Sequence, residues 1–162
     1  GSNLAEQHIF EEFEFRYLIQ MCDDGIQQID SGRHYKIKHQ HEKLKHSFNM
    51  RKGFLARKFS SFYIQNDRLN DAIYWGEISY TTCMIAAENK EKNFNLSDNP
   101  RESNFASDAY YQAGRITHEL FNNFGDFKYL SLASTAYEKA LELSNRHSRI
   151  KRIEVLMKEI TP

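Results

Sequence analysis

The residues of this 162-residue chain best suited to chemistry are its seven histidines and two cysteines. His39, His41 and His46 fall within eight positions, and a helix would bring two of their imidazoles near each other. A metal ion held there would need further ligands, and Glu42 is the only acid nearby. The histidines therefore read as part of a solvated basic surface, and no metal is expected. Cys22 and Cys83 are too far apart in sequence to suggest a disulfide framework or a zinc site. Arg115, His118 and Glu119 could form a small acid–base set, but surface groups of this kind are common. The chain has no phosphate-binding loop, nucleophile elbow, HExxH or CxxC. No catalytic residue and no cofactor is expected.

Charge is distributed more unevenly than the net value of zero suggests. Residues 1–32 hold seven acids against Arg16 alone, whereas residues 33–58 hold nine Lys/Arg against Glu42 alone. The simplest arrangement is an acidic first helix lying antiparallel to a basic second one, each neutralising the other. The functional alternative is a basic face for phosphates, with Lys36, Lys38, Lys43, Lys45, Arg51 and Lys52 as the cations that would attract nucleic acid.

These residues must be positioned by helices. Only two Pro and seven Gly occur, against twelve Phe and nine Tyr, a composition that favours long helices with aromatic cores. Helix 1 is expected from an Asn3 cap to Asp30-Ser31-Gly32, bent at Gly25. It carries two apolar stripes, Ile9, Phe10, Phe13, Tyr17, Met21 and Phe15, Ile19, Cys22, Ile26, Ile29, so it needs neighbours on both sides. A second helix follows from Arg33 to Gln65, with Ile37, His41, Leu44, Phe48, Arg51, Leu55, Phe59 and Phe62 inward and a break near Gly53. Asn66-Asp67 would cap a third helix ending near Lys92. Residues 93–107 read as a loop, because Asn, Ser, Asp and Pro100 cluster there. Asp108 would then open a helix to Phe121, Asp126 would cap one to Leu143, and Ser148 would cap the last. No stretch alternates as a strand does, and no apolar run is long enough to cross a membrane. The first residues show no secretory leader, so a cytoplasmic location is expected.

The segment Ala133–Leu143, ASTAYEKALEL, places Ala133, Tyr137 and Ala140 at relative positions 0, 4 and 7. This resembles the second helix of a tetratricopeptide (TPR) repeat, where small residues let paired helices approach and the aromatic fills the gap. Tyr110, Ala113 and Gly114 match that family's first-helix positions. The distance from Gly114 to Ala133 is longer than the family pattern, and Thr117 stands where the family has Tyr. A better-spaced unit runs from Gly53 to Ala86, with Ala56, Phe59, Ser60 and Tyr63 in its first helix and Ala72 and Ser79 in its second. Gly76 replaces the family's aromatic there. Residues 148–160 resemble the helix that covers the last repeat.

Chain length suggests a single all-α domain, residues 1–162, of about six helices, and the resemblance, which covers residues 53–86 and 107–160, implies TPR-like antiparallel hairpins with a C-terminal covering helix. Residues 3–52 would hold the acidic and basic helices, 53–92 the first hairpin, 93–107 the loop and 107–160 the second hairpin with its cover. It also implies a non-enzymatic interaction module, an adaptor, chaperone or peptide-binding domain. The groove-facing residues would be Arg57, Lys58, Ser61 and Ile64 from the first unit and Tyr111, Gln112, Arg115 and His118 from the second. Their charge favours an acidic peptide. A second resemblance is narrower: Arg33 and His39 are spaced like the Arg–His motif of the helical HEPN nucleases, which implies RNA cleavage by the histidine. Oligomeric state stays open.

Overall fold

A computed structural model describes the backbone of residues 2–32 and 38–161 and the side chains of 7–32 and 40–161. Among the described residues there are six helices and no strand: α1 (Ser2–Asp30), α2 (Lys38–Gln65), α3 (Leu69–Ser97), α4 (Pro100–Phe124), α5 (Phe127–Leu143) and α6 (His147–Ile160). Each packs chiefly on its neighbour in sequence, and α2 also touches α4. The result is an all-α stack of antiparallel helical hairpins. No described helix is long and apolar enough to cross a membrane.

Small residues set the helix separations. Ala56, Ala72, Ala113, Ala133 and Ala140 are fully buried, with Phe59, Tyr63 and Tyr137 beside them. Serine hydroxyls donate across the hairpins to backbone carbonyls: Ser60 to Ala72 and Ser79 to Gly53 between α2 and α3, Ser107 to Ala140 between α4 and α5, each at 2.6 Å. Such bonds form only where helices lie close, and each removes a polar hydroxyl's burial cost. Gly114 lets the Tyr137 ring lie against α4; a methyl there would sit 2.5 Å from the ring. These are the residues that carried the helix-hairpin reading.

Several expected boundaries differ. Residues 93–107 are not a loop. α3 continues to Ser97, Asp98 adopts a left-handed conformation (φ 55°), and Asn99 caps α4 by accepting from the Arg101 amide at 3.0 Å. Pro100 takes the first helical position, where a missing N–H is harmless. The polar cluster is thus a two-residue turn with its cap, and Asp108 lies well inside α4. Nor does Gly53 break α2, which runs through the proposed 52/53 unit boundary; its missing Cβ instead admits the Cys83 sulfur. α1 likewise continues through Gly25, against which the Phe48 ring packs, and Asn3 lies within the helix. On α2, Phe59 is buried as the inward line expects, but Arg51 is exposed, and Asn49, Gly53, Ala56, Ser60 and Tyr63 are the other buried positions.

Two further caps moved and one did not. Asn66 donates back to the Phe62 carbonyl at 2.7 Å, and Arg68 is the N-cap of α3, without a side-chain capping bond. Ser148 lies inside α6, whose N-cap is Arg146. Asp126 does cap α5, accepting from the Lys128 amide at 3.0 Å after a left-handed Gly125 (φ 70°).

Candidate functional site

The acidic and basic helices lie antiparallel and neutralise each other in part. Lys45 reaches Asp30 at 2.6 Å and Lys52 reaches Asp23 at 2.7 Å. At the far end Glu12 accepts from the Tyr63 hydroxyl at 2.6 Å and from Arg68 at 2.9 Å. Burial alone would raise the Glu12 pKa, but these donors hold it below the usual carboxylate value. Burial and the bond to Glu12 push Tyr63 up to about 12. The apolar seam between the helices is Phe15 and Ile19 against Phe59 and Phe62, with the Phe15 and Phe59 rings stacked at 5.0 Å.

The eight expected groove residues divide into two groups. Arg57 on α2 holds Glu119 on α4 through Nε and Nη2, and its Nη1 donates to the Gln112 side chain at 3.2 Å. Lys58 lies over the Phe54 ring at 4.6 Å, and Ser61 is half-buried beside them. Ile64 is partly buried and packs with the aromatic cluster of Phe59 and Trp75.

Of the four α4 residues, Tyr111 and His118 meet α6. The Arg149 guanidinium lies 4.1 Å over the Tyr111 ring. His118 is buried, with Nδ1 3.0 Å from the Tyr137 hydroxyl and Nε2 3.7 Å from Glu159. Burial lowers its pKa, opposed by Glu159 and assisted by Arg115. Arg115 is half-buried and makes no ion pair or hydrogen bond among the described residues.

What stays open is a cleft of about 700 Å³ between α1 and α2, closed on one side by Glu119 of α4. Its floor is Phe15, Leu18, Leu55 and Phe62, with Phe54 half exposed at the lip. Arg57, Lys58 and Ser61 line it, and Glu11 and Glu14 face them from α1. Sequence spacing missed Leu18, Phe54 and the two glutamates, since a wall shared by two helices is not a periodicity of either. The pairing of opposite charge blocks was the signal that α1 lies there.

The remaining chemical candidates separate. His46 sits between Lys90, Glu102 and the Phe105 ring, and burial lowers its pKa to about 4. Lys90, itself buried, pairs with Glu102 at 2.9 Å. Beside them, Lys43 and Arg101 line a second, polar cleft of about 330 Å³ that Phe105 also borders. Cys22 and Cys83 are buried free thiols; burial pushes Cys83 up to about 12. Arg33 and Lys36 and the side chains of Lys38 and His39 lie outside the described residues, and with them the nuclease-like Arg–His pair. Among the described residues no three His, Cys, Asp or Glu side chains are placed to share a metal.

No family model, curated protein or solved structure matches the chain. The geometry alone therefore carries the functional argument.

Proposed function

We propose that the protein is a non-enzymatic interaction module that receives a peptide segment in the α1–α2 cleft. The observation that supports this is the cleft's construction: apolar side chains form its floor, and its two walls carry opposite charge, Glu11 and Glu14 against Arg57 and Lys58. Apolar side chains of a peptide would desolvate against Phe54 and Phe62 and provide affinity, while the charged walls would fix its direction. Arg57 already holds Glu119, so Lys58 is the cation left to meet a peptide carboxylate. The test is selection from a displayed peptide library, followed by calorimetry on the enriched sequences. Binding that Phe54→Glu abolishes and Lys58→Glu weakens supports the reading; sequences that bind wild type and Phe54→Glu equally well would sink it.

Nucleic-acid binding is the second reading, and one observation favours it. Lys43 and Arg101 are exposed around Phe105, a ring partly open to solvent on which a base could stack. Against it, Lys45 and Lys52 are already engaged by acids of α1.

A further inference from the structure

The two ends of the helical stack have opposite character. On α6 the solvent-facing side is polar, with Lys151, Arg152, Glu154 and Lys158 exposed around Val155. Such a face ends a stack without exposing apolar surface. On α1 the solvent-facing side is apolar: Ile9, Phe10, Phe13, Tyr17 and Met21 are 51–68% exposed, one above another on a single helical stripe. Their spacing spans about 18 Å at 1.5 Å per residue. The three aromatic rings alone, at 150–250 Å² each, leave roughly 300–480 Å² of largely apolar surface in water. That already reaches the size of patch that marks an interaction site on an ordinary monomer.

Charge selects what covers it. Glu11, Glu14 and Asp24 lie beside or beyond the stripe, and none makes an ion pair among the described residues. The base of this helix, Arg16, is turned to the α2 side, where it donates to Tyr63 at 3.4 Å and lies 5.6 Å over the Phe59 and Trp75 rings. Two copies packed antiparallel through this face would bring together the unpaired Glu11, Glu14 and Asp24 of each, with Glu14 near the centre. A stable homodimer is disfavoured by that repulsion. We infer that the outer face of α1 docks a partner helix that is amphipathic, with an apolar stripe at i, i+3, i+4 and i+7 and Lys/Arg along its flank. Apolar contact would supply affinity and the glutamates would select the partner's charge. This surface adjoins the α1–α2 cleft, and Glu11 and Glu14 border both, but the apolar residues differ: Phe13 belongs to the outer face alone and Phe54 to the cleft, so variants at these two positions tell the surfaces apart.

The test uses the whole chain and two labelled synthetic helices, leucine-striped and long enough to span Ile9 to Met21, one with lysine flanks and one with glutamate flanks. Fluorescence anisotropy should show the lysine helix binding about tenfold or more tighter than the glutamate helix. Phe13→Glu, at an exposed position that leaves the helical circular dichroism intact, should abolish that binding. The Glu11→Lys/Glu14→Lys double variant should reverse the preference. Four results would overturn the inference: no binding of the lysine helix, equal binding of both, loss in Phe54→Glu but not in Phe13→Glu, or a wild-type dimer in light scattering that Phe13→Glu dissociates. The last would assign the face to a second copy.

Discussion

Arg57 on α2 grips both carboxylate oxygens of Glu119 on α4, across a gap of 62 residues in sequence. The two side chains are only 21% and 30% exposed, so the pair lies between a solvated surface bridge and a buried one. Gln112 completes the donor set on the α4 side. This is the polar clasp between the first helices of successive hairpins, and it sits on the wall of the open cleft.

Removing one partner should cost more than the pair contributes, because the other charge stays half-buried and unpaired. Arg57→Ala is expected to lower stability by about 1–2 kcal/mol, and Glu119→Gln by about 1 kcal/mol. A double-mutant cycle in urea should return a coupling energy above the few tenths typical of exposed pairs. Additive single effects would show that the clasp contributes nothing.

Close helix approach makes a second prediction. Ala is ordinarily a better helix former than Gly by about 1 kcal/mol. Gly114→Ala should nevertheless destabilise the protein by roughly 1–3 kcal/mol, because its methyl would lie 2.5 Å from a fully buried Tyr137 ring. Gly32→Ala is expected to be costly for a different reason, its left-handed backbone (φ 68°), although nothing crowds it. Thermal unfolding of Gly114→Ala with Tyr137→Leu checks the steric account: the smaller partner should restore part of the loss.

Stability should also fall in acid through His46. Its folded pKa of about 4 lies below the ordinary value of 6.5, because burial and Lys90 disfavour the cation more than Glu102 favours it. The unfolded chain therefore takes up the proton first. The stabilisation is complete above about pH 6.5 and is lost as pH falls from there toward 4. After allowing for solvent screening of a partly open ring, about 1–2 kcal/mol should disappear over that window. Urea unfolding of wild type and His46→Gln at pH 7.5 and 4.5 checks it; the variant should lose less. His118 titrates with the same sign, so some dependence should survive in the variant.

Salt dependence can weigh the basic helix. If Lys43, Arg101 and Lys92, which is exposed on α3 and makes no ion pair among the described residues, are the cations that meet phosphate, single-stranded oligonucleotides should bind with a log–log salt slope of about −2, at roughly −0.7 per contact. Anisotropy at about 50 and 200 mM salt would measure it. Asp23→Asn with Asp30→Asn, which releases Lys52 and Lys45, should steepen the slope. An unchanged slope would mean that the oligonucleotide does not use this face.

The helices and their close-packed positions were legible because spacing encodes them. Ala133, Tyr137 and Ala140 stand one helical turn apart, and each is fully buried where the spacing placed it. The antiparallel pairing of α1 and α2 was legible in the same way, from two adjacent segments of opposite charge. The turn at Asp98–Asn99 was not, since Asn, Ser and Pro serve a helix cap as readily as a loop. Nor were the contacts of α6 with Tyr111 and His118. A helical period names a face, but which element covers that face is a tertiary fact. The two stripes of α1 show both sides of this: each asked for a neighbour, α2 answers one, and the other stays open to solvent.

Each helix rests mainly on the next one along the chain, and the turns between α3 and α4 or α4 and α5 are only two residues long. Contacts that close such short loops cost little chain entropy, so each hairpin can form before the following one exists. During synthesis the stack can therefore grow from its first hairpin as the chain emerges, and little apolar surface has to wait for a distant partner.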